Sequence, residues 1–276
     1  MMLNKKLWNS QIWTVFTLFL AEFFGTAMLL FGGCMASIDG FDNLTSNISR
    51  GITFGMVVMM AFITFSASSG AIINPVVSLA AYIFGTLSLQ NFVISHPQLT
   101  ILYIVAQFAG ALCGYGLLRA VTPWQYYQQA LEHGNAHCVT VPHQSLSSGM
   151  ALAVEILLTG MLVWTNCGVW DPRNKKDSDS VPVKFAFLIA GLSIAGGPIT
   201  GASMNPARSL APAIWNHYYE GLWIYFAGPT IGSILMVTIY RYIFLQKCSD
   251  TSEMMSPCNC HHDTGKQDSH SSKIVP

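Results

Sequence analysis

The 276-residue sequence predicts an all-α membrane protein with six transmembrane helices and two re-entrant half-helices in an inverted repeat. Three observations carry this. The chain is 52% hydrophobic and 9% charged, against roughly a quarter charged in soluble domains. Its apolar residues gather into stretches long enough to span a bilayer. A nine-residue motif centred on Asn-Pro occurs twice, once in each half.

The spans follow from length. A hydrocarbon core of about 30 Å needs about 20 apolar residues per helix, and six stretches approach or exceed this: 12–37, 49–68, 99–121, 148–170, 183–198 and 221–245. No Asp, Glu, Lys or Arg occurs between Arg50 and Arg119, so water is not the main solvent there. The first stretch, Ile12 to Met35, follows Lys5 and Lys6 and exceeds the roughly 7 to 15 apolar residues of a cleavable signal. It reads as a retained span. Two further segments, Pro75 to Phe84 and Pro206 to Trp215, are apolar but too short to cross. In a membrane chain such pieces read as re-entrant half-helices, whose broken backbone is buried in protein or lines a water-filled path.

Loop charges give the orientation. Arg173, Lys175 and Lys176 lie in the loop between spans four and five, and both termini also contain basic residues. These are expected to be cytoplasmic. The loop 122–147 has no Lys or Arg, and 38–50 has Arg50 alone; these are expected to face outward. Two glycosylation sequons, starting at Asn43 and Asn47, then lie on the lumenal side. Residues 1–245 read as one channel domain, with half-repeats at about 12–121 and 148–245, and 246–276 as a disordered cytoplasmic tail. The tail holds Cys258-Asn259-Cys260-His261-His262, without the two separated ligand pairs of a zinc module, so no metal and no cofactor is assigned. The seven cysteines show no disulfide framework in their spacing. A net charge of zero gives no electrostatic footprint for nucleic acid.

Internal repetition supplies the mechanism. Gly70 to Ser78 matches Gly201 to Ser209 at Gly, Ala, Asn, Pro and Ser, at an offset of 131 residues, and each copy follows the second span of its half. Glu22 and Glu155, each the sole charge in the first span of its half, echo this at an offset of 133. Three spans per half require the second copy to enter from the opposite side, so the short helices meet near the midplane. Pro75 and Pro206 suit a first helical turn, and Asn74 and Asn205 suit a cap. Two such N-termini, each carrying about half a positive charge, repel cations and protons. Water or an alcohol passes by accepting hydrogen bonds from the Asn amides. Arg208, the only charge between Lys184 and Glu220, is a functional candidate at membrane depth.

On these residues the chain resembles the aquaporin family over about 12–245. The matching signatures are Ala21-Glu22-Phe23-Phe24-Gly25-Thr26, the motifs Asn74-Pro75-Val76 and Asn205-Pro206-Ala207, Gln107 to Gly110, and Gly228-Pro229 to Gly232. The resemblance implies that Glu22 and Glu155 buttress the pore loops. It also implies a filter of Phe54, Ser193, Ala202 and Arg208, placed by spacing from the motifs, and a homotetramer in lipid, with the plasma membrane as its location. Ser193 stands where strict water channels of the family usually carry histidine, and Ala202 is also small. The filter therefore resembles that of the glycerol-permeable insect branch, the entomoglyceroporins, while Ser209 and Tyr225-Phe226 are water-channel-like. The expected permeants are water, glycerol and urea, with protons and ions excluded; the alternative is a strict water-selective channel. Val76 replaces the usual Ala and adds bulk where the half-helices meet. With Ala202 in a position often held by Cys, Cys34, Cys113 and Cys167 are the remaining membrane thiols for mercury. A secondary transporter would call for acidic or polar coupling sites in the path, and a closed structural protein leaves Arg208 without purpose. No nucleophile, base or metal cluster points to an enzyme.

Overall fold

The structure, a computed structural model, describes residues 2–38, 46–87, 96–126 and 137–245. Asn43 and the tail motif at 258–262 lie outside the described residues. The described elements are helical: α1 (Met2–Met35), α2 (Asn47–Ser69), α3 (Pro75–Phe84), α4 (His96–Val121), α5 (Ser148–Trp170), a 3-10 segment (Pro172–Ser180), α6 (Val181–Thr200), α7 (Pro206–Trp215) and α8 (Ile224–Ile239). Five of them, α1, α2, α4, α5 and α6, are long and apolar enough to cross a membrane. The sixth predicted span is built differently. Its α-helix covers 16 residues, and a π turn from Tyr240 to Phe244 carries it onward. With α3 and α7 as half-helices, this is the six-span architecture with two re-entrant pieces.

Backbone capping sets where the short helices begin. Asn74 and Asn205 are both extended (φ −152° and −151°), and each caps its helix through its side-chain oxygen. The proline that follows at the first helical position has no N–H to leave unpaired. Gly70 and Gly201 close the preceding long helices in the left-handed region, at φ 86° and 83°.

The helices pair as α1 with α4, α2 with α6, and α5 with α8. Small residues make this proximity feasible. A Cβ on Gly110 would stand 2.1 Å from the Phe23 carbonyl oxygen of α1, and one on Gly232 would stand 2.4 Å from the Ile156 carbonyl oxygen of α5. Outward faces carry large apolar side chains, such as Ile52, Met56, Met60 and Ile63 along α2. That is the pattern of a surface solvated by lipid tails.

Candidate functional site

The two motif loops fold alike because each is fastened to a buried glutamate. Glu22 of α1, fully buried, accepts from the backbone N–H of Ile72 (3.0 Å) and Ile73 (2.8 Å), from Ser69 Oγ (2.6 Å) and from Gln107 Nε2 (2.7 Å). Glu155 of α5, equally buried, accepts from Ser203 N–H (3.0 Å), Met204 N–H (3.0 Å) and Thr200 Oγ1 (2.7 Å). A segment without regular structure has no ladder to satisfy its N–H groups, and in lipid each unsatisfied group costs several kcal/mol. The glutamates take that place.

The same tethering holds an unusual backbone. Ala71 and Ile73 have φ of 48° and 46°, and their counterparts Ala202 and Met204 have 45° and 52°. Non-glycine residues adopt such angles rarely, and a β-branched one such as Ile73 very rarely, at a cost of order 1–3 kcal/mol each. The two loops share these conformations position for position.

The loops then lock to each other. Asn74 Nδ2 donates to the Met204 carbonyl at 2.9 Å, and Asn205 Nδ2 donates to the Ile73 carbonyl at 3.0 Å. Each asparagine oxygen is also occupied: Asn74 Oδ1 accepts from Val76 N–H (3.1 Å), and Asn205 Oδ1 from the N–H groups of Ala207 (3.0 Å) and Arg208 (3.3 Å). Pro75, Val76, Pro206 and Ala207 are buried behind this junction. Val76 is absent from the described lining of the cavity below, and its carbonyl accepts from Ser233 Oγ of α8 at 2.6 Å.

A cavity of about 350 Å³ passes the junction, lined by Asn74, Asn205, Phe54, Ser193, Ala202 and Arg208 together. At one end it meets Ser37, Arg50, His137 and Cys138, and at the other Trp170 and Phe185, which lie near the opposite ends of α5 and α6. The guanidinium of Arg208 sits 4.9 Å from the Phe54 ring centroid and donates through Nη1 to the Cys138 carbonyl at 2.6 Å. Its partners thus include a ring face and a carbonyl. The four positions that the resemblance implies line this one cavity together with both asparagines.

Sequence reasoning missed what holds the loop opposite Arg208. Cys138 forms a disulfide with Cys34, just before the end of α1. The mercury reading for Cys34 is therefore corrected: its sulfur is bonded, and the free membrane thiols are Cys113, exposed, and Cys167, buried. The neighbouring His137 ring spans the carbonyls of Ser37 (3.2 Å) and Tyr126 (2.8 Å), while its own carbonyl accepts from Tyr115 Oη at 2.8 Å. Ser209, water-channel-like in the sequence and the repeat partner of Ser78, accepts from Thr140 Oγ1 (2.7 Å) and lies 2.5 Å from Ser203 Oγ. It ties the same loop to α7. The one signal available was that Cys34 and Cys138 flank segments assigned to the same side.

The whole-chain comparisons decide the family. The major intrinsic protein family model matches residues 9–240. The chain belongs to the major intrinsic protein family. Among its relatives, the lens fiber major intrinsic protein of Lithobates pipiens is 33% identical over 91% of this chain and 89% of its own length. Aquaporin NIP2-2 of Zea mays is 33% identical, covering 86% and 76%, and Aquaporin-4 of Rattus norvegicus 32%, covering 87% and 70%. Among solved structures, the aquaglyceroporin from Plasmodium falciparum superposes with a TM-score of 0.67 at 20% identity, over 83% of this chain and 96% of that one, and shares its fold. This major intrinsic protein is an integral multi-pass membrane protein and a channel for water and small solutes, not an enzyme.

Proposed function

We propose that the channel passes water together with glycerol and urea and excludes protons and ions. The observation that carries this reading is that Phe54, Ser193, Ala202 and Arg208 line one cavity, and two of these four side chains are small. Phe54 offers an apolar wall to a carbon backbone. Arg208 offers donors to hydroxyl or carbonyl oxygens while opposing cations. A histidine in place of Ser193 would add bulk to this lining; serine leaves the room a three-carbon polyol needs. This arrangement supports kinship with the glycerol-permeable insect branch.

Exclusion of protons and ions rests on the junction. Each asparagine amide has two N–H donors, of which one goes to the opposite loop. The second is there for a permeant oxygen. With the positive ends of α3 and α7 meeting at the same point, a cation finds donors and positive potential. A water whose oxygen accepts from these amides is poorly oriented to relay a proton.

Both termini are assigned to the cytoplasm and the loop 137–147 to the outside. The Cys34–Cys138 disulfide supports this, since disulfides persist on the oxidising side of a membrane. The plasma membrane and a homotetramer complete the proposal. The test is reconstitution into liposomes, with stopped-flow swelling under water, glycerol and urea gradients and an enclosed pH dye. Solute-driven swelling without dye response is the expected result. Swelling in water gradients alone would assign a strict water channel instead.

A further inference from the structure

The last turn of α6 lacks a donor. Pro198 lies inside this helix and has no N–H to give to the carbonyl four residues back, that of Ile194. An amide from another helix approaches that carbonyl: Asn47 Nδ2, at the start of α2, donates to Ile194 O at 2.6 Å.

Three features set Asn47 up for this. A capping box between Ser46 and Ser49 fixes the first turn of α2 around it. Asn47, Gly51 and Gly55 recur every four residues and so share one face of α2. That face meets α6 closely: a Cβ at Gly51 would lie 3.1 Å from Ala190 O, and one at Gly55 would lie 2.2 Å from Ala186 O. Gly197 leaves room for the amide, since a Cβ there would fall 2.4 Å from Asn47 Oδ1. The carbonyl so held belongs to the residue after Ser193, and the turn leads directly into Gly201 and Ala202.

We infer that Asn47 is a positioning residue of the filter, supplying the hydrogen bond that Pro198 cannot, and that its amide nitrogen is not a glycan acceptor. The inference rests on the filter reading proposed above for its effect on selectivity. Its structural part stands separately: one Nδ2 hydrogen goes to Ile194, and a sugar in place of the other would have to fit at the close contact between α2 and α6, where a Cβ on Gly197 would already fall 2.4 Å from Asn47 Oδ1. The sequon at Asn47 is thus a packing feature.

The test compares Asn47→Ala, Pro198→Ala and the double variant in liposomes. Losing the bond is expected to change the glycerol-to-water permeability ratio about threefold. In the double variant the residue at 198 has a backbone N–H again, so the ratio is expected to return toward wild type. An unchanged ratio in Asn47→Ala, or a double variant as altered as the single one, overturns the inference. Ser193→His measured alongside separates the two readings: if it shifts selectivity while Asn47→Ala does not, the filter stands and the Asn47 role falls. If neither shifts, both fall. Glycosidase treatment of the chain expressed in a eukaryotic membrane gives an independent readout. Asn43→Gln is expected to be free of glycan, and a glycan that survives in Asn43→Gln and disappears in the Asn43→Gln/Asn47→Gln double variant overturns the inference.

Discussion

Arg208 donates to the carbonyl of Cys138 at 2.6 Å, and Cys138 is covalently joined to Cys34 across 104 residues of sequence. The Arg208 guanidinium is therefore oriented by a loop that is itself anchored to α1. Replacing both cysteines by serine is expected to lower the unfolding midpoint, the loss of a cross-link of this kind costing roughly 2–5 kcal/mol. It is also expected to change the glycerol-to-water permeability ratio, because the carbonyl holding Arg208 gains freedom. Thermal unfolding in detergent and swelling of liposomes read the two effects. A lowered midpoint with an unchanged ratio would make the disulfide structural alone.

The glutamate tethers give a second expectation. In Glu155→Gln, one carboxyl oxygen becomes an NH₂ group, and a donor then faces either Met204 N–H or the pair from Thr200 and Ser203. A buried donor left unsatisfied costs about 1–3 kcal/mol. Glu22→Gln is expected to cost more, since each of its oxygens accepts from two donors. Both variants should unfold at lower temperature and conduct less water, with Glu22→Gln the weaker protein.

Helix proximity gives a third. Gly110→Ala places a methyl group against the Phe23 carbonyl, a backbone atom that no rotamer change can move aside. Overpacking of this kind costs about 1–3 kcal/mol, occasionally more. A lowered unfolding midpoint in detergent is the expected result, and Gly149→Ala, where an added Cβ would meet no atom within 4 Å beyond the neighbouring backbone of its own helix, is the control that should match wild type.

Acid sensitivity is expected at the loop between α5 and α6. Asp171 accepts from Arg173 Nε (2.9 Å), Nη2 (2.5 Å) and backbone N–H (3.0 Å), and from Tyr240 Oη (3.1 Å). The Arg173 hydrogen bonds are the main cause that holds its carboxyl down to about 2, from an ordinary 3.8. A carboxyl depressed on folding stabilises the fold fully above its unfolded value and loses that contribution as pH falls toward its folded value. The difference in unfolding midpoint between wild type and Asp171→Asn should be constant above about pH 5 and shrink between about pH 4 and 2.

Much of the architecture was legible because a bilayer imposes a simple code. Apolar length marks spans, and Asn-Pro marks a capped helix start, so the half-helices Pro75–Phe84 and Pro206–Trp215 carry the predicted bounds. The π turn at Tyr240–Phe244 was not legible, since hydropathy does not record hydrogen-bond register. Long-range pairings were equally hidden. Nothing local in the sequence links Cys34 to Cys138, or Asn47 to a carbonyl 147 residues away. At Asn47 the local sequon pointed to the surface, whereas the missing N–H of Pro198 in another helix decides what the side chain does. The positions around the cavity were named because the family resemblance implies four filter positions and the two asparagines give fixed points from which to count them.

The most direct test of the account compares wild type with Ser193→His in liposomes under water, glycerol and urea gradients. Wild type is expected to pass glycerol and urea as well as water, and the histidine variant chiefly water. Equal solute permeability in the two proteins, or a wild type closed to both solutes, would contradict it.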